Sequence, residues 1–177
     1  MLIGVISDTH DRLETVAAAL AFFYAQQVDV VIHCGDWKSP ATTEAFLETA
    51  REYNLPVRAV LGNNDKDVSQ FLDIAKEKHD DIHLYEGVYQ LSIDTIPMAI
   101  YHGHHAPTLR RVRANTAYEM VFLGHTHKPL IEHDGVRIII NPGSTAFSIP
   151  RSKTWRPSVA LVDTRHRSAT IHYLSIV

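Results

Sequence analysis

The chain has 177 residues, 17 Lys plus Arg against 20 Asp plus Glu, and a formal net charge of −3, with a sequence pI near 6.4. A chain this long buries roughly 70% of its unfolded surface without disulfides or a structural metal, and its acidic balance excludes the broad positive field that non-specific nucleic-acid or anionic-membrane binding uses. The one cysteine, Cys34, excludes an intramolecular disulfide framework and a Cys-only zinc site, so a reducing, cytoplasmic setting is expected. Asp8 and Asp11 interrupt the N-terminal apolar stretch, so no secretory leader is expected. The longest apolar run, Val16 to Ala25, is far short of the ~20 residues that span a bilayer and predicts a buried helix. Twelve histidines, more than the 8 Gly or the 8 Pro, suggest that imidazole has a use here.

In chain order, Leu2 to Ile6 is a short apolar run broken by Ser7-Asp8, which predicts a buried strand with polar residues at its carboxyl end. Asp11 and Glu14 form a candidate capping box for a helix with Leu13, Val16, Ala17, Leu20 and Tyr24 at helical spacing. Asp29 to His33 predicts a second strand, ending in Cys34-Gly35-Asp36. Ser39-Pro40 supplies an N-cap and first-turn proline for a helix through about Tyr53. Val57 to Leu61 is a third strand, ending in Gly62-Asn63-Asn64-Asp65. After a helix over Lys66 to Lys78, shorter strands follow: Ile82 to Tyr85, Val88 to Ile93 and Pro97 to His102, the last opening His-Gly-His-His.

A polar helix from about Pro107 to Asn115 leads into Met120 to Leu123, which ends in Gly124-His125-Thr126-His127. Leu130 to His133 and Val136 to Ile140 flank Asp134-Gly135, a strong hairpin signal. Asn141-Pro142-Gly143-Ser144 closes that strand, Ser148 to Pro157 is an expected irregular loop, and Ser158 to Asp163 with Ala169 to Ile176 form a last hairpin. One mixed α/β domain over residues 1–177 fits this pattern.

Five strand ends carry metal-ligand types: Asp8 with His10, Asp36, Asn63, His102, and His125 with His127. In open α/β sheets such ends converge on one site. Seven oxygen and nitrogen donors are too many for one zinc and suit two divalent ions sharing a carboxylate, which clamp the oxygens of a phosphoryl group. Imidazole and carboxylate without thiolate favour manganese, iron, nickel or zinc over calcium or magnesium.

The ordered set D-x-H, G-D, G-N-x-D, H-G-H and G-H-T-H resembles the calcineurin-like metallophosphoesterases, from Met1 to about Arg151. Asn141-Pro142-Gly143-Ser144 followed by Pro150-Arg151 resembles their compact prokaryotic phosphodiesterase branch. The resemblance implies a four-layer α/β/β/α sandwich of two mixed sheets with a dinuclear site at the strand carboxyl ends. It implies one ion, manganese first, held by Asp8, His10 and His127, the other by Asn63, His102 and His125, and Asp36 bridging. It also implies a nucleophilic hydroxide shared by the two ions that attacks phosphorus in line. The physical logic agrees, because a carboxylate can bind two cations and the neutral amide of Asn63 adds an oxygen without adding charge.

One position departs from the family pattern. Many members have a His after the motif's Asn, assigned to protonating the leaving oxygen or to steadying the phosphate, and this chain has Asn64, whose carboxamide is no general acid near neutral pH. His104 is the nearest replacement by sequence, against a reading as a surface or supporting imidazole. Asp65 completes the family motif and is expected to orient a neighbouring ligand or His from behind. Arg151 either reaches a substrate phosphate bidentately or pins its own loop. Arg110, Arg111 and Arg113 could meet an anionic substrate or form a solvated face. Cys34 is expected in the core, with the remaining histidines structural or solvent-facing, and Trp155 is left unassigned.

The expected activity is metal-dependent hydrolysis of a phosphoester substrate, first a phosphodiester. The alternatives are a phosphomonoesterase or dinucleotide-polyphosphate hydrolase on the same ions, or an interaction scaffold like the retromer subunit of this fold. No membrane partner and no dedicated nucleic-acid surface are expected, and a homo-oligomer stays open.

Overall fold

Short strands that are apolar in both phases, such as Leu2 to Ile6, require sheets covered on both faces. The computed structural model, which describes residues 1–78, 81–146 and 156–175, has two such sheets. Its elements in chain order are β1 (Leu2–Ile6), α1 (Leu13–Ala25), β2 (Val30–His33), α2 (Pro40–Glu52), β3 (Val57–Val60), α3 (Val68–Lys78), β4 (Ile82–Tyr85), β5 (Tyr89–Ile93), β6 (Ile96–Tyr101), α4 (Ala106–Ala114), β7 (Met120–Leu123), β8 (Leu130–Asp134), β9 (Arg137–Asn141), β10 (Ser158–Asp163) and β11 (Ser168–Tyr173).

One sheet runs β11-β10-β1-β2-β3-β4 and the other β5-β6-β7-β9-β8. Strands β1 to β4 are parallel, with β10 antiparallel to β1. In the second sheet β6, β7 and β9 are parallel, flanked by antiparallel β5 and β8. Both sheets are therefore mixed.

The strand phases separate three cores. Ile3, Val5 and Ile32 of the first sheet pack against Met98, Ile100, Phe122 and Ile140 of the second. The opposite phase of the first sheet, with Ile6, Val31 and Val57, meets Leu20, Phe23, Phe46 and Phe71 from α1, α2 and α3. Ala99, Val121 and Ile139 meet Val112 of α4 behind the second sheet. The result is the four-layer α/β/β/α sandwich. No helix among the described residues is long and apolar enough to cross a membrane.

Local departures from the expected elements have physical causes. Helix α1 has Arg12 at its N-cap and no side-chain cap bond, so Asp11 and Glu14 form no capping box. Asp11 instead accepts hydrogen bonds from Ser39 Oγ at 2.6 Å and Thr42 Oγ1 at 2.7 Å, bracing the start of α2. The buried face of α1 is Thr15, Val16, Ala19, Leu20 and Phe23, while Leu13 and Tyr24 are exposed. The cause lies in β1, where the missing side chain of Gly4 leaves the space that the Phe23 ring fills. The β8–β9 turn is Gly135-Val136, because Asp134 already pairs with Arg137 and Gly135 takes the positive φ that the turn needs. The expected cap of α2 is present, with Ser39 Oγ accepting from the Thr42 N–H.

Candidate metal centre

The parallel strands β1, β2 and β3 of one sheet and β6 and β7 of the other end at the same edge, so loops far apart in sequence meet there. These loops are tightly bent. Asp8, His10, Asp36, His125 and His127 all have positive φ, between 42° and 68°. Non-glycine residues hold that conformation only where the surroundings over-determine it, and such strain collects at functional sites. Close approach explains the glycine at two of the motifs. A Cβ at Gly62 would overlap Asp36 Oδ1, and one at Gly124 would overlap Ser7 Oγ.

Ligand atoms of Asp8, His10, Asp36 and His127 lie within 4.8 Å of one another. His10 Nε2 is 3.2 Å from His127 Nε2, and His127 Nε2 is 3.0 Å from Asp8 Oδ1. Asp8 Oδ1 is buried with no hydrogen-bond donor among the described residues, while its other oxygen accepts from Ser7 Oγ at 2.6 Å and the His125 N–H at 3.0 Å. A buried carboxylate oxygen without a donor, facing imidazole nitrogens, is an arrangement that a cation completes.

Across Asp36 lies the second group. His102 Nδ1 donates to the Cys34 carbonyl at 2.8 Å, which turns Nε2 toward Asn63 Oδ1 at 3.1 Å and Asp36 Oδ1 at 3.3 Å. The other Asp36 oxygen, Oδ2, is 3.5 Å from His10 Nε2. One carboxylate thus presents an oxygen to each group. The His125 ring stands edge-on to His102 with centroids 5.2 Å apart.

Burial raises the Asp36 carboxyl, but the hydrogen bond and charge of His102, with the Asn64 donors, outweigh it and hold the group well below the usual carboxylate range. Burial lowers His102 as well, and its Asp36 hydrogen bond and the charges of Asp8 and Asp36 reverse that into a net rise. His10 and His125 are lowered, first by burial, which favours the neutral imidazole that binds metal. The donor set, the orphaned oxygen and the shared carboxylate fit a pair of borderline divalent cations.

The residues expected to assist are also placed. Asn64 donates its backbone N–H to Asp36 Oδ1 at 2.9 Å and its side-chain amide to Asp36 Oδ2 at 2.6 Å. It therefore holds the central carboxylate. Asp65 accepts from the N–H groups of Gly62 at 2.7 Å, Lys38 at 2.7 Å and Asp36 at 3.1 Å, so it pins backbone on both sides of the site and orients no imidazole. His104 is exposed on a neighbouring cleft, 5.6 Å from His102 between ring centroids. Burial, then the charges of His102 and His125, lower it and disfavour the imidazolium that an acid needs. Arg151 and Trp155 lie outside the described residues.

Sequence reasoning missed several supporting groups. His33 is fully buried and stacked on Trp37 with centroids 3.5 Å apart. Its Nδ1 accepts from the Gly35 N–H at 3.1 Å, which places the ring proton on Nε2, facing Thr9 Oγ1 at 3.3 Å. Ser144 Oγ donates to the Asp8 carbonyl at 2.8 Å, and Asn141 Nδ2 to the Gly124 carbonyl at 2.7 Å. The Asn-Pro-Gly-Ser segment was the sequence signal for these last two. Cys34 is buried and its thiol is pushed well up, first by burial and then by the Asp8 charge, in keeping with a core role.

The family model for the calcineurin-like phosphoesterase superfamily domain matches residues 1–167, and the chain belongs to that superfamily. It is 30% identical over 167 residues to a phosphodiesterase of Methanocaldococcus jannaschii, covering 94% of this chain and 95% of that protein. A solved structure described as a novel archaeal phosphodiesterase superposes with a TM-score of 0.85 at 29% identity, covering 98% of this chain and all of the other. Vps29 of Entamoeba histolytica, crystallised with zinc, has a TM-score of 0.64 at 17% identity with both chains fully covered, a likeness of fold.

Proposed function

We propose that this chain hydrolyses phosphodiesters with two divalent ions, one held by Asp8, His10, Asp36 and His127 and the other by Asp36, Asn63, His102 and His125. The observation that carries the reading is the Asp36 carboxylate, with Oδ2 3.5 Å from His10 Nε2 and Oδ1 3.3 Å from His102 Nε2. Bound there, the ions would polarise the phosphoryl oxygens and make water nucleophilic near neutral pH. The chain's own part is to fix that pair. Asn64 aims both Asp36 oxygens, Ser7 and the His125 N–H hold one Asp8 oxygen so that the other faces the centre, and the Cys34 carbonyl sets the His102 tautomer.

Two open clefts favour a diester over a monoester. One, of about 500 Å³, is lined by His10, Arg12, Lys38, Asn64 and His127. The other, of about 630 Å³, is lined by Asn63, Lys66, His104, Thr108 and Arg111. A phosphorus bound between them has room for an ester arm on either side. An interaction scaffold with no catalysis is disfavoured by the intact donor at every one of the seven positions. Four imidazoles beside two carboxylates and an amide oxygen favour manganese, nickel, iron or zinc over calcium or magnesium, and manganese is put first on the family resemblance. A cytoplasmic setting belongs to the same proposal, supported by the lone buried thiol.

The test is metal content of the purified protein beside hydrolysis of bis(p-nitrophenyl) phosphate. Chelation should erase activity, and manganese or nickel should restore it where calcium does not, because calcium prefers all-oxygen cages. Restoration by calcium alone, or metal-replete protein without hydrolysis, overturns the reading.

A further inference from the structure

The two clefts beside the centre differ in how their cations are engaged. In the cleft on the His10 side, Lys38 Nζ is 3.6 Å from Asp11 Oδ2. The cleft on the Asn63 side is lined by Lys66 and Arg111. Lys66 Nζ donates to the carbonyl of Asn63 itself at 2.7 Å, which holds its ammonium at the rim of the centre. Arg111 lies one turn after Thr108 on α4, and both line the cleft.

The three arginines of α4 separate in the fold. Arg113 Nη2 is paired with both carboxylate oxygens of Glu132, at 2.7 and 2.9 Å. Arg110 is exposed away from the residues that line the cleft. Arg111 is exposed at the cleft, and its guanidinium has no hydrogen-bond or ion-pair partner among the described residues. The carboxylates that line the same cleft are Glu86 and Asp65, and Asp65 is engaged by three backbone N–H groups. Two cations and two carboxylates therefore line the cleft, and the Asp65 oxygens are already taken by backbone donors.

We infer that this cleft is a subsite for an ester arm bearing a second phosphate, gripped by the Arg111 guanidinium with Lys66 beside it. The inference rests on the phosphodiester reading and narrows its substrate class to diesters with an additional anionic group on one arm, such as a phosphorylated nucleotide arm. A guanidinium offers a planar fork of donors that matches phosphate, and Lys66 adds a point charge. The bond to the Asn63 carbonyl puts the Lys66 charge where an arm that enters this cleft from the central phosphorus passes. Binding energy at a group remote from the scissile bond lowers KM when it is equal in ground and transition states.

A matched pair of substrates tests this on the manganese-loaded full chain: thymidine 5′-(p-nitrophenyl phosphate), and the same compound carrying a 3′-phosphate. The scissile bond and leaving group are identical, so the ratio of the two KM values reads the remote phosphate alone. The 3′-phosphorylated ester should have a KM lower by about tenfold, the scale of one charge-assisted phosphate contact. Arg111→Gln should bring the ratio close to one, Arg111→Lys should keep part of it, and raising salt from about 0.05 to about 0.5 M should shrink it in the wild type. Equal KM values for the two esters, or a ratio that survives Arg111→Gln, overturns the inference. Should neither ester be cleaved, the phosphodiesterase reading fails, and calorimetric titration of thymidine 3′,5′-bisphosphate still decides the subsite. Binding weakened about tenfold by Arg111→Gln supports it, and binding unaffected by that substitution refutes it.

Discussion

His33 Nε2 lies 3.3 Å from Thr9 Oγ1, so a fully buried imidazole on β2 ties down the residue between Asp8 and His10. The other ring nitrogen accepts from Gly35 next to Asp36, and the backbone bonds Asp8 N–H to Gly35 C=O and His10 N–H to Asp36 C=O run alongside. One side chain therefore sets the spacing between two ligand-bearing loops. His33→Phe keeps the stack on Trp37 and deletes both hydrogen bonds, and should weaken Mn2+ affinity by about 10–100-fold, the usual effect of removing a supporting partner. Thr9→Val should weaken it less, and the double variant should fall short of the sum because both act through one contact. Calorimetric metal titration reads the cycle, and Mn2+ affinity unchanged in His33→Phe would refute the linkage.

Burial, with the charge of His102 next, holds the His33 imidazole well below its ordinary value of 6.5. The unfolded chain takes up a proton near that value and the native ring does not, so the unfolded state binds more protons as pH falls below it. Stability present above pH 6.5 is then lost on acidification, at about 1.4 kcal/mol per pH unit for this group. Urea unfolding in chelator at about pH 7.5 and about pH 5.5 should show a shallower loss for His33→Phe than for wild type. Parallel slopes would contradict a neutral buried His33.

Removing the shared charge tests the paired arrangement. Asp36→Asn should leave the fold, reported by circular dichroism, yet lower bis(p-nitrophenyl) phosphate hydrolysis by at least about a thousandfold, because one position neutralises both cations. The thermal stabilisation gained on adding Mn2+ should also shrink, since a weaker site contributes less of RT ln(1 + [L]/Kd). Near wild-type turnover in Asp36→Asn would exclude a two-ion centre.

The engagement of Asn64 with Asp36 makes the missing acid testable. With no imidazole at that position, departing oxyanions must leave unprotonated or take a proton from water, so rates across aryl and alkyl phosphodiesters should fall steeply with leaving-group pKa. Asn64→His supplies a positioned imidazole, worth about 10²–10⁴-fold in general acid catalysis, and should flatten that slope for the most basic leaving groups. Asn64→Ala is the control, because loss of the amide also frees Asp36. A shallow wild-type slope that His104→Ala leaves unchanged would refute the absence of an acid.

The sequence alone determined the elements and the cast of ligand types. Short apolar runs broken by Ser7-Asp8, Gly35-Asp36, Gly62-Asn63 and Gly124-His125 are local signals, because a strand end and its glycine are written in adjacent residues. The layer order came from the likeness of the ordered motifs to a known family, not from the strand pattern. What only the tertiary structure decided is how groups from different loops meet. That Asp11 braces α2 instead of capping α1, that Asn64 grips Asp36, that Asp65 holds the backbone of Asp36 and Lys38, and that His33 reaches Thr9 are contacts between residues 24 to 31 positions apart. Arg110, Arg111 and Arg113 read alike in sequence, and the fold alone gives one a carboxylate partner and another the cleft. Helical spacing fixes which side chains share a face of α4, whereas the neighbours that each face meets are set by the packing of that helix behind the second sheet.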